Sequence, residues 1–143
     1  MTSDHLTPGA RSAHMRRIRK RDTKPEMVVR RAAHSLGFRF RLHRRDLPGS
    51  PDLTFPRYRK VVFVHGCFWH QHEGCRLKRQ PKSRLDYWLP KLERNVSRDA
   101  ASQARLAELG WDALVIWECE TRDRVSVTTR LMRFLGERAS VAQ

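Results

Sequence analysis

The feature that most constrains the fold is the concentration of histidine and cysteine in one short stretch. Residues 65–75 read HGCFWHQHEGC and hold two of the three cysteines and three of the seven histidines. Zn²⁺ binds thiolate sulfur and imidazole nitrogen tetrahedrally, and Cys67, His72 and Cys75 offer three such ligands at short spacing. Cys119 can supply a fourth, which predicts a closed structural zinc site tying this loop to a distant segment. The alternative is that Cys119 is an ordinary core cysteine and the loop pair is incidental.

The charge of the chain indicates a polyanionic partner. Lys and Arg number 30 against 15 Asp and Glu in 143 residues, giving a formal net charge of +15. This excess is typical of nucleic-acid-binding proteins, whereas a basic surface kept only for solubility is rarely so one-sided. Three cysteines are too few for a disulfide framework and favour a reducing compartment. No apolar run resembles a membrane span or a secretory signal, so we expect a soluble intracellular protein with no membrane partner.

The N-terminal segment, residues 1–22, is predicted to be a flexible basic arm ahead of one folded domain, residues 23–143. The first ten residues are small and polar, and the basic stretch after them has only Met15 and Ile18 as apolar anchors. Two apolar side chains are too few to dock a helix firmly on a core. We therefore expect the arm to become ordered on nucleic acid.

The rest of the chain predicts a mixed α/β domain with a central sheet flanked by helices. Thr23, Pro25 and Glu26 form a helix start signal, and Gly37 is a helix end signal. Alternating and β-branched apolar runs predict strands, and apolar residues at helical spacing predict two later helices. The expected elements are a helix over 23–36, strands over 38–43, 52–55, 60–66 and 111–118, a helix entered or kinked at Pro90 and ending at Leu109 with Leu92, Val96 and Leu106 on its inner face, and a closing helix over 122–138.

A second candidate metal site lies at Asp52, which follows Pro51 at the start of a predicted strand. A carboxylate there, with a backbone carbonyl from the neighbouring strand, can bind Mg²⁺ and favour attack of water on a phosphodiester. The Asp/Glu-x-Lys pattern that usually completes such a nuclease site is absent, because the corresponding positions are Phe63, Val64 and His65. Since Pro-Asp is also typical of turns and caps, these residues alone leave both interpretations open.

Four further side chains could take part in chemistry near Asp52. His65 and His70 remain available if the zinc site uses the other residues of the cluster. Glu26 is explained fully by the helix cap, although a further role stays open. Asp99 flanks the apolar face of the long helix, where an unpaired carboxylate is costly. We expect Asp99 to pair with an arginine or to fix the tautomer of a histidine.

Three aromatic residues lie in polar or basic surroundings. Phe68 and Trp69 occupy the tip of the predicted loop, and Trp88 follows a basic segment, residues 76–84. Exposed aromatic rings on a cationic surface can stack on bases or wedge between them. Packing of these rings against the core is the alternative.

Several of these residues fall into motifs that together match a known family. The motifs are Thr23-x-x-Glu26, Leu47-Pro48-Gly49-x-Pro51-Asp52, Phe63-x-His65-Gly66-Cys67-Phe68-Trp69-His70-x-His72, Asn95-x-x-Arg98-Asp99, Leu109-Gly110-Trp111 and Trp117-Glu118-Cys119. In this combination the chain resembles the very-short-patch mismatch-repair endonucleases over residues 11–135. The resemblance implies a restriction-endonuclease-like core whose catalytic motif is degenerate, which accounts for the missing lysine.

The resemblance also implies two metal sites. Asp52 would bind catalytic Mg²⁺ through its carboxylate and Val64 through its backbone carbonyl, with Glu26 assisting around the metal and its water. The implied structural Zn²⁺ ligands are Cys67, His72, Cys75 and Cys119.

The implied roles of the remaining residues are catalytic or DNA-binding. His70 would act in general acid-base catalysis, Asp99 would orient its ring, and His65 would lie near the scissile phosphate. The implied DNA wedge consists of Phe68, Trp69 and Trp88, and the arm, anchored by Met15 and Ile18, would lie in the opposite groove.

The activity implied by the resemblance is strand-specific hydrolysis of double-stranded DNA. The T-containing strand would be nicked on the 5′ side of a T·G mismatch left by deamination of 5-methylcytosine, by attack of Mg²⁺-activated water. We expect a bacterial, cytoplasmic and nucleoid-associated monomer, with mismatch-repair proteins as candidate partners. The alternatives are a non-catalytic zinc-containing DNA-binding module and a nuclease of the same fold with another DNA target.

Overall fold

A four-stranded mixed sheet organises the part of the chain that the computed structural model describes, residues 22–79 and 81–136. Its strands are β1 (Arg41–Leu42), β2 (Leu53–Phe55), β3 (Lys60–His65) and β4 (Asp112–Trp117), and they lie in that order. The β1–β2 and β2–β3 pairs are antiparallel, and β3–β4 is parallel, with Val62 opposite Leu114. The predicted mixed sheet is confirmed.

Three helices cover the two faces of this sheet. They are α1 (Lys24–Ser35), α2 (Leu85–Glu108) and α3 (Arg124–Leu135). Helices α1 and α3 pack on the face that carries Val62 and Ile116, whereas Leu106 of α2 packs on the face that carries Val61 and Phe63. Helix α2 is the long crossover that a parallel β3–β4 pair requires. No helix in the described ranges is long and apolar enough to cross a bilayer.

The start of α1 follows the predicted capping pattern with one difference. Thr23 Oγ1 accepts a hydrogen bond from Glu26 N at 3.2 Å, as an N-cap residue does. The Glu26 carboxylate, however, accepts from Asp22 N at 3.0 Å. Glu26 is only 2% exposed, so α1 carries a buried carboxylate at its first turn.

Helix α2 differs from the prediction in two respects. It begins at Leu85, so the predicted entry at Pro90 is wrong, and Pro90 lies inside the helix, as the kinked alternative requires. Val96 does not lie on the inner face, because its side chain is 43% exposed. Asn95 is buried instead and donates from Nδ2 to the carbonyl oxygen of Trp69 at 3.0 Å. The inner face of α2 is therefore partly polar, which apolar spacing alone does not reveal.

Other element boundaries are shorter than predicted. The strand expected over 38–43 is confined to Arg41–Leu42, and Phe38 packs into the core. The last helix begins at Arg124, because Asp123 caps it by accepting from Val125 N and Ser126 N. Residues 1–21, with Met15 and Ile18, lie outside the described residues, as do residues 137–143.

Candidate active site and metal cluster

The candidate catalytic residues line one cavity at the end of β3. Asp52 stands immediately before β2, and the antiparallel pairing of β2 with β3 brings it beside Val64. The cavity has a volume of about 250 Å³ and is lined by Asp52, Val64, His65, His70 and Asp99, among others. The structure therefore brings together five of the six residues of the predicted catalytic set.

Asp52 is a carboxylate in an unusual environment. Burial raises its pKa to about 7, and the nearby charge of Glu26 adds to this effect. A hydrogen bond from Val64 N to Asp52 Oδ2, 2.7 Å long, opposes the rise, as do His43 and His70. A bound cation would favour the ionised form of such a carboxylate. The donor set therefore fits a divalent cation that prefers oxygen ligands.

The backbone of Val64 turns toward the same side as Asp52. Successive peptide groups of a strand alternate between its two edges. Val62 O accepts from Asp52 N at 3.1 Å, and Asp112 N donates to Arg59 O at 3.1 Å on the opposite, β4 side. This alternation directs the carbonyl group of Val64 toward the β2 side, where it is available as a second oxygen ligand.

His70 and Asp99 form a hydrogen-bonded pair on the cavity wall. His70 Nδ1 lies 2.6 Å from Asp99 Oδ2, so the carboxylate holds the proton on Nδ1 and leaves Nε2 as the nitrogen that can exchange a proton with a ligand. The ring of His65 stacks on the ring of His70, with centroids 3.8 Å apart and an interplanar angle of 7°. Burial, with His70 as a second cause, lowers the pKa of His65 to about 3, so this ring is neutral.

The predicted zinc ligands form a cluster. One donor atom from each of Cys67, His72, Cys75 and Cys119 lies within 4.8 Å of the others. His72 Nδ1 is 3.6 Å from Cys67 Sγ and 3.5 Å from Cys119 Sγ. Ligand bonds of ~2.3 Å to sulfur and ~2.0 Å to nitrogen in a tetrahedron would separate S and N by about 3.5 Å, which is what these atoms show. The donor set therefore fits Zn²⁺.

The loop that carries these ligands also presents His70. His70 N donates to Gly66 O at 3.1 Å, and His72 N donates to Cys67 O at 2.9 Å. The ring of His72 stacks on Trp117 at 4.1 Å, at the end of β4. The loop is thus attached to β4 through His72 and Cys119, and to α2 through the bond between Asn95 and Trp69 O.

The three predicted DNA-wedge residues form one aromatic cluster. Phe68, Trp69 and Trp88 contact one another with ring centroids 5.1, 5.6 and 5.7 Å apart. All three are half-buried and belong to neither apolar core cluster. The cluster joins the loop of residues 66–79, which we call the zinc loop after its predicted ligands, to the first turn of α2 and adjoins His70 in the sequence, so it lies next to the catalytic cavity.

Sequence reasoning missed His43. This residue has a left-handed backbone conformation with φ of 50°. Its N donates to Asp52 O at 3.1 Å, and its Nε2 lies 2.6 Å from Glu26 Oε2. His43 thus connects Glu26, the sixth predicted catalytic residue, to the segment that carries Asp52. The only signal in the sequence was a histidine at the end of a predicted strand.

Comparison with known proteins assigns a family to this arrangement. The model of the DNA mismatch endonuclease Vsr family matches residues 3–76. The type II nicking enzyme V.XorIIP of Xanthomonas oryzae pv. oryzae is 52% identical over 133 residues, 93% of this chain and 97% of the relative. The DNA mismatch endonuclease Vsr of Escherichia coli is 44% identical over 118 residues, 82% of this chain and 75% of the relative. The type II nicking enzyme V.NmeAIP of Neisseria meningitidis is 38% identical over 135 residues, covering 94% of this chain and 96% of that protein.

These matches confirm both the resemblance seen in the sequence motifs and the enzyme class. The chain belongs to the Vsr family of DNA mismatch endonucleases and is a DNA endonuclease.

Proposed function

We propose that this endonuclease nicks the T-containing strand of double-stranded DNA on the 5′ side of a T·G mismatch that arises by deamination of 5-methylcytosine. The observation that carries the proposal is that Asp52 and the His70–Asp99 pair line one cavity next to the aromatic cluster. A phosphate group in this cavity would meet a metal-binding carboxylate and an oriented imidazole together. The aromatic rings supply the means of detecting a weakened base pair.

Two metal ions are part of the proposal. Asp52 and the Val64 carbonyl would hold Mg²⁺, with the Glu26 carboxylate nearby, and the cluster of three cysteines and His72 would hold structural Zn²⁺. When bound, Mg²⁺ lowers the pKa of a coordinated water and offsets negative charge on the phosphate. The zinc ligands leave no position open for a substrate, so their role is to fix the loop.

The histidines carry the proton transfers in this proposal. Asp99 holds His70 as the Nδ1–H tautomer, which leaves Nε2 to accept a proton from water or to return one to the leaving oxygen. The neutral ring of His65, stacked on His70, can form a hydrogen bond with a phosphate oxygen without changing its charge. The 2.6 Å contact between His70 and Asp99 keeps the ring in place during the transfer.

Recognition of the mismatch would depend on the cost of separating stacked base pairs. Inserting apolar side chains between base steps costs a few kcal/mol, and this cost is lowest at a mismatched pair. Phe68, Trp69 and Trp88 are pre-packed against one another, so little side-chain entropy is lost on insertion. The N-terminal arm would bind the opposite groove.

Nicking assays on labelled duplexes test the proposal. With Mg²⁺ we expect nicking of the T-containing strand at a T·G pair, and little nicking of matched, branched or otherwise mismatched duplexes. Asp52→Ala and His70→Ala should each lower the single-turnover rate by about 10²-fold or more, while the Kd for T·G duplex changes little. Binding without nicking across several divalent metals would support a non-catalytic DNA-binding module. Preference for another duplex would support a different target.

The proposal also covers the core fold, the oligomeric state and the cellular location of the enzyme. We propose a restriction-endonuclease-like core and a monomer that acts in the bacterial cytoplasm on nucleoid DNA, with mismatch-repair proteins as candidate partners. A sedimentation measurement with and without duplex tests the monomer, since one nick at an asymmetric mismatch needs one active site.

A further inference from the structure

A second large concavity lies along β1, outside the catalytic cavity. It is a groove of about 770 Å³ between β1 and the turn that follows β2, and we call it the arginine groove. Four arginines line it, and its other lining residues are uncharged. The lining arginines are Arg39, Arg41, Arg44 and Arg57.

Three of these arginines have no partner in the described part of the chain. Arg39, Arg41 and Arg57 are exposed, and their side chains make no hydrogen bond or ion pair with another described residue. Arg44 is the exception, because it pairs with Asp46. Like charges placed together in one groove repel each other unless a polyanion neutralises them. The groove therefore has the chemistry of a phosphate-binding surface.

The arginine groove and the catalytic cavity lie toward opposite ends of β2, because Asp52 precedes that strand and Arg57 follows it. β1 lies beside β2 between them: it begins at Arg41, which lines the groove, and the residue after its end, His43, donates its backbone N–H to Asp52 O at 3.1 Å. β1 is also an edge strand, with no described strand on its outer side. A polyanion that is bound in the catalytic cavity and runs along this edge would reach the unpaired guanidinium groups at the other end of β2.

We propose that the arginine groove binds the backbone phosphates of the DNA duplex that flanks the cleaved step. This inference rests on the proposed function, since it takes the DNA in the catalytic cavity as the polyanion. Guanidinium groups form bidentate hydrogen bonds with phosphate. Contacts of this kind position the duplex without reading its sequence. The groove thereby adds affinity and register on one side of the mismatch.

The test compares two triple variants of the full-length, zinc-loaded protein that carry the same net charge. The groove variant is Arg39→Gln, Arg41→Gln, Arg57→Gln. The control replaces three exposed arginines of α1 and α3, namely Arg31, Arg124 and Arg133, with glutamine. Binding of a T·G duplex is measured across a range of salt concentrations. We expect the groove variant to bind at least about tenfold more weakly than the control, with a salt slope shallower by about 2–3, since each phosphate contact contributes about 0.9.

Duplex length supplies the second measurement. Shortening the duplex on one side of the mismatch should weaken binding by the wild type and the control but leave the groove variant unchanged. Equal salt slopes and equal length dependence in the two triple variants would overturn the groove proposal. If the wild type itself did not prefer or nick the T·G duplex, the proposed function would fail instead, and the two failures are thereby distinguishable.

Discussion

Asp52 binds its proton more tightly in the folded chain than in the unfolded chain. Burial raises its pKa from 3.8 to about 7, with Glu26 as a further cause. The folded state therefore holds the extra proton between these two pH values. The contribution of this proton to the free energy of unfolding is fully present below pH 3.8 and is lost as pH rises through about 7. At neutral pH the metal-free enzyme is therefore destabilised by the buried charge of Asp52, and a bound cation would offset this loss of stability.

We predict that Asp52→Asn stabilises the protein at pH 8 in buffer without added Mg²⁺. The amide avoids the burial of a charge, so the free energy of unfolding should rise by about 2–4 kcal/mol. At pH 4 most of this difference should be lost, because the carboxyl is then protonated in the folded state and only partly ionised in the unfolded state, where its pKa is 3.8. Urea titrations at the two pH values measure the difference. A variant less stable than wild type at pH 8 would contradict the assigned environment of Asp52.

The same carboxylate predicts a metal-linked pH profile for nicking. At low Mg²⁺ concentration the single-turnover rate should fall to half near pH 7, because protonated Asp52 cannot bind the cation. Proton and cation compete for one group, so a tenfold increase in Mg²⁺ should move this midpoint down by up to about one pH unit. Rates measured from pH 5.5 to 8.5 at three Mg²⁺ concentrations would reveal the shift. A midpoint independent of Mg²⁺ would exclude Asp52 as the titrating metal ligand.

His43 is predicted to stabilise the buried carboxylate of Glu26. Their side chains lie 2.6 Å apart, and the second basic neighbour, Arg30, is at 3.4 Å. His43→Asn keeps a residue that tolerates the left-handed backbone but shortens the side chain. We expect a loss of about 2–3 kcal/mol in the free energy of unfolding at pH 7. Glu26→Gln supplies the control. In the double variant the two losses should be less than additive, and simple additivity would show that the pair is not coupled.

At the scale of elements, the zinc loop positions His70. The loop is held at one end by β3 and is attached to β4 only through side chains such as Cys119 and His72. In the absence of a cation, burial raises the pKa of the Cys67 thiol to about 12, so this thiol becomes a thiolate only with bound metal. The loop should therefore lose its order when the metal is lost, while the core remains.

We predict that Cys119→Ala releases the metal and abolishes nicking without unfolding the sheet. Zinc measured by mass spectrometry should fall well below one per chain, and amide exchange should increase over residues 66–79. Neither apolar core cluster contains a residue of this loop. Amide exchange in the strands should therefore change less than in the loop. Cys119→His is the matched variant, because imidazole can replace thiolate as a ligand. Full zinc occupancy in Cys119→Ala would argue against this cluster as the zinc site.

The sequence allowed the elements to be predicted where local chemistry decides them. Thr23 and Gly37 predicted the ends of α1 because capping is a local effect, and the β-branched run predicted β3. Helix α2 was predicted less well, because its start at Leu85 depends on Tyr87 and Trp88 packing near the zinc loop. The prediction placed Val96 on the inner face of α2. In the structure this part of the helix buries Asn95 instead, and Asp99 lines the catalytic cavity.

The candidate site was predicted to the extent that its residues carry a pattern. The cysteines and His72 have ligand spacing, and the HGCFWH block is distinctive, so their grouping was expected from the sequence. His43 has no such pattern, because its contact with Glu26 joins residues that are 17 positions apart. The arginine groove likewise depends on the β2 turn bringing Arg57 next to β1. Such features arise from tertiary packing and are visible only in the structure.

At the scale of the whole molecule, charge and shape make separate contributions to DNA recognition. The net charge of +15 acts on every phosphate and on every sequence alike. In the proposed function the aromatic cluster would act on base stacking, which involves no release of counterions. Affinity for DNA in general and preference for a mismatch should therefore respond differently to salt.

We predict that salt weakens binding to matched and T·G duplexes in parallel. Both log affinities should fall with log salt concentration at a slope of about −0.9 per phosphate contacted, so their ratio should stay constant within about threefold between 50 and 300 mM salt. Trp69→Ala should reduce the ratio about tenfold, because a lost stacking contact costs about 1–3 kcal/mol, while both slopes stay unchanged. Fluorescence anisotropy with the two duplexes gives all of these values. A ratio that varies strongly with salt would mean that the mismatch is recognised through additional phosphate contacts, and the aromatic cluster would then not be the element that discriminates.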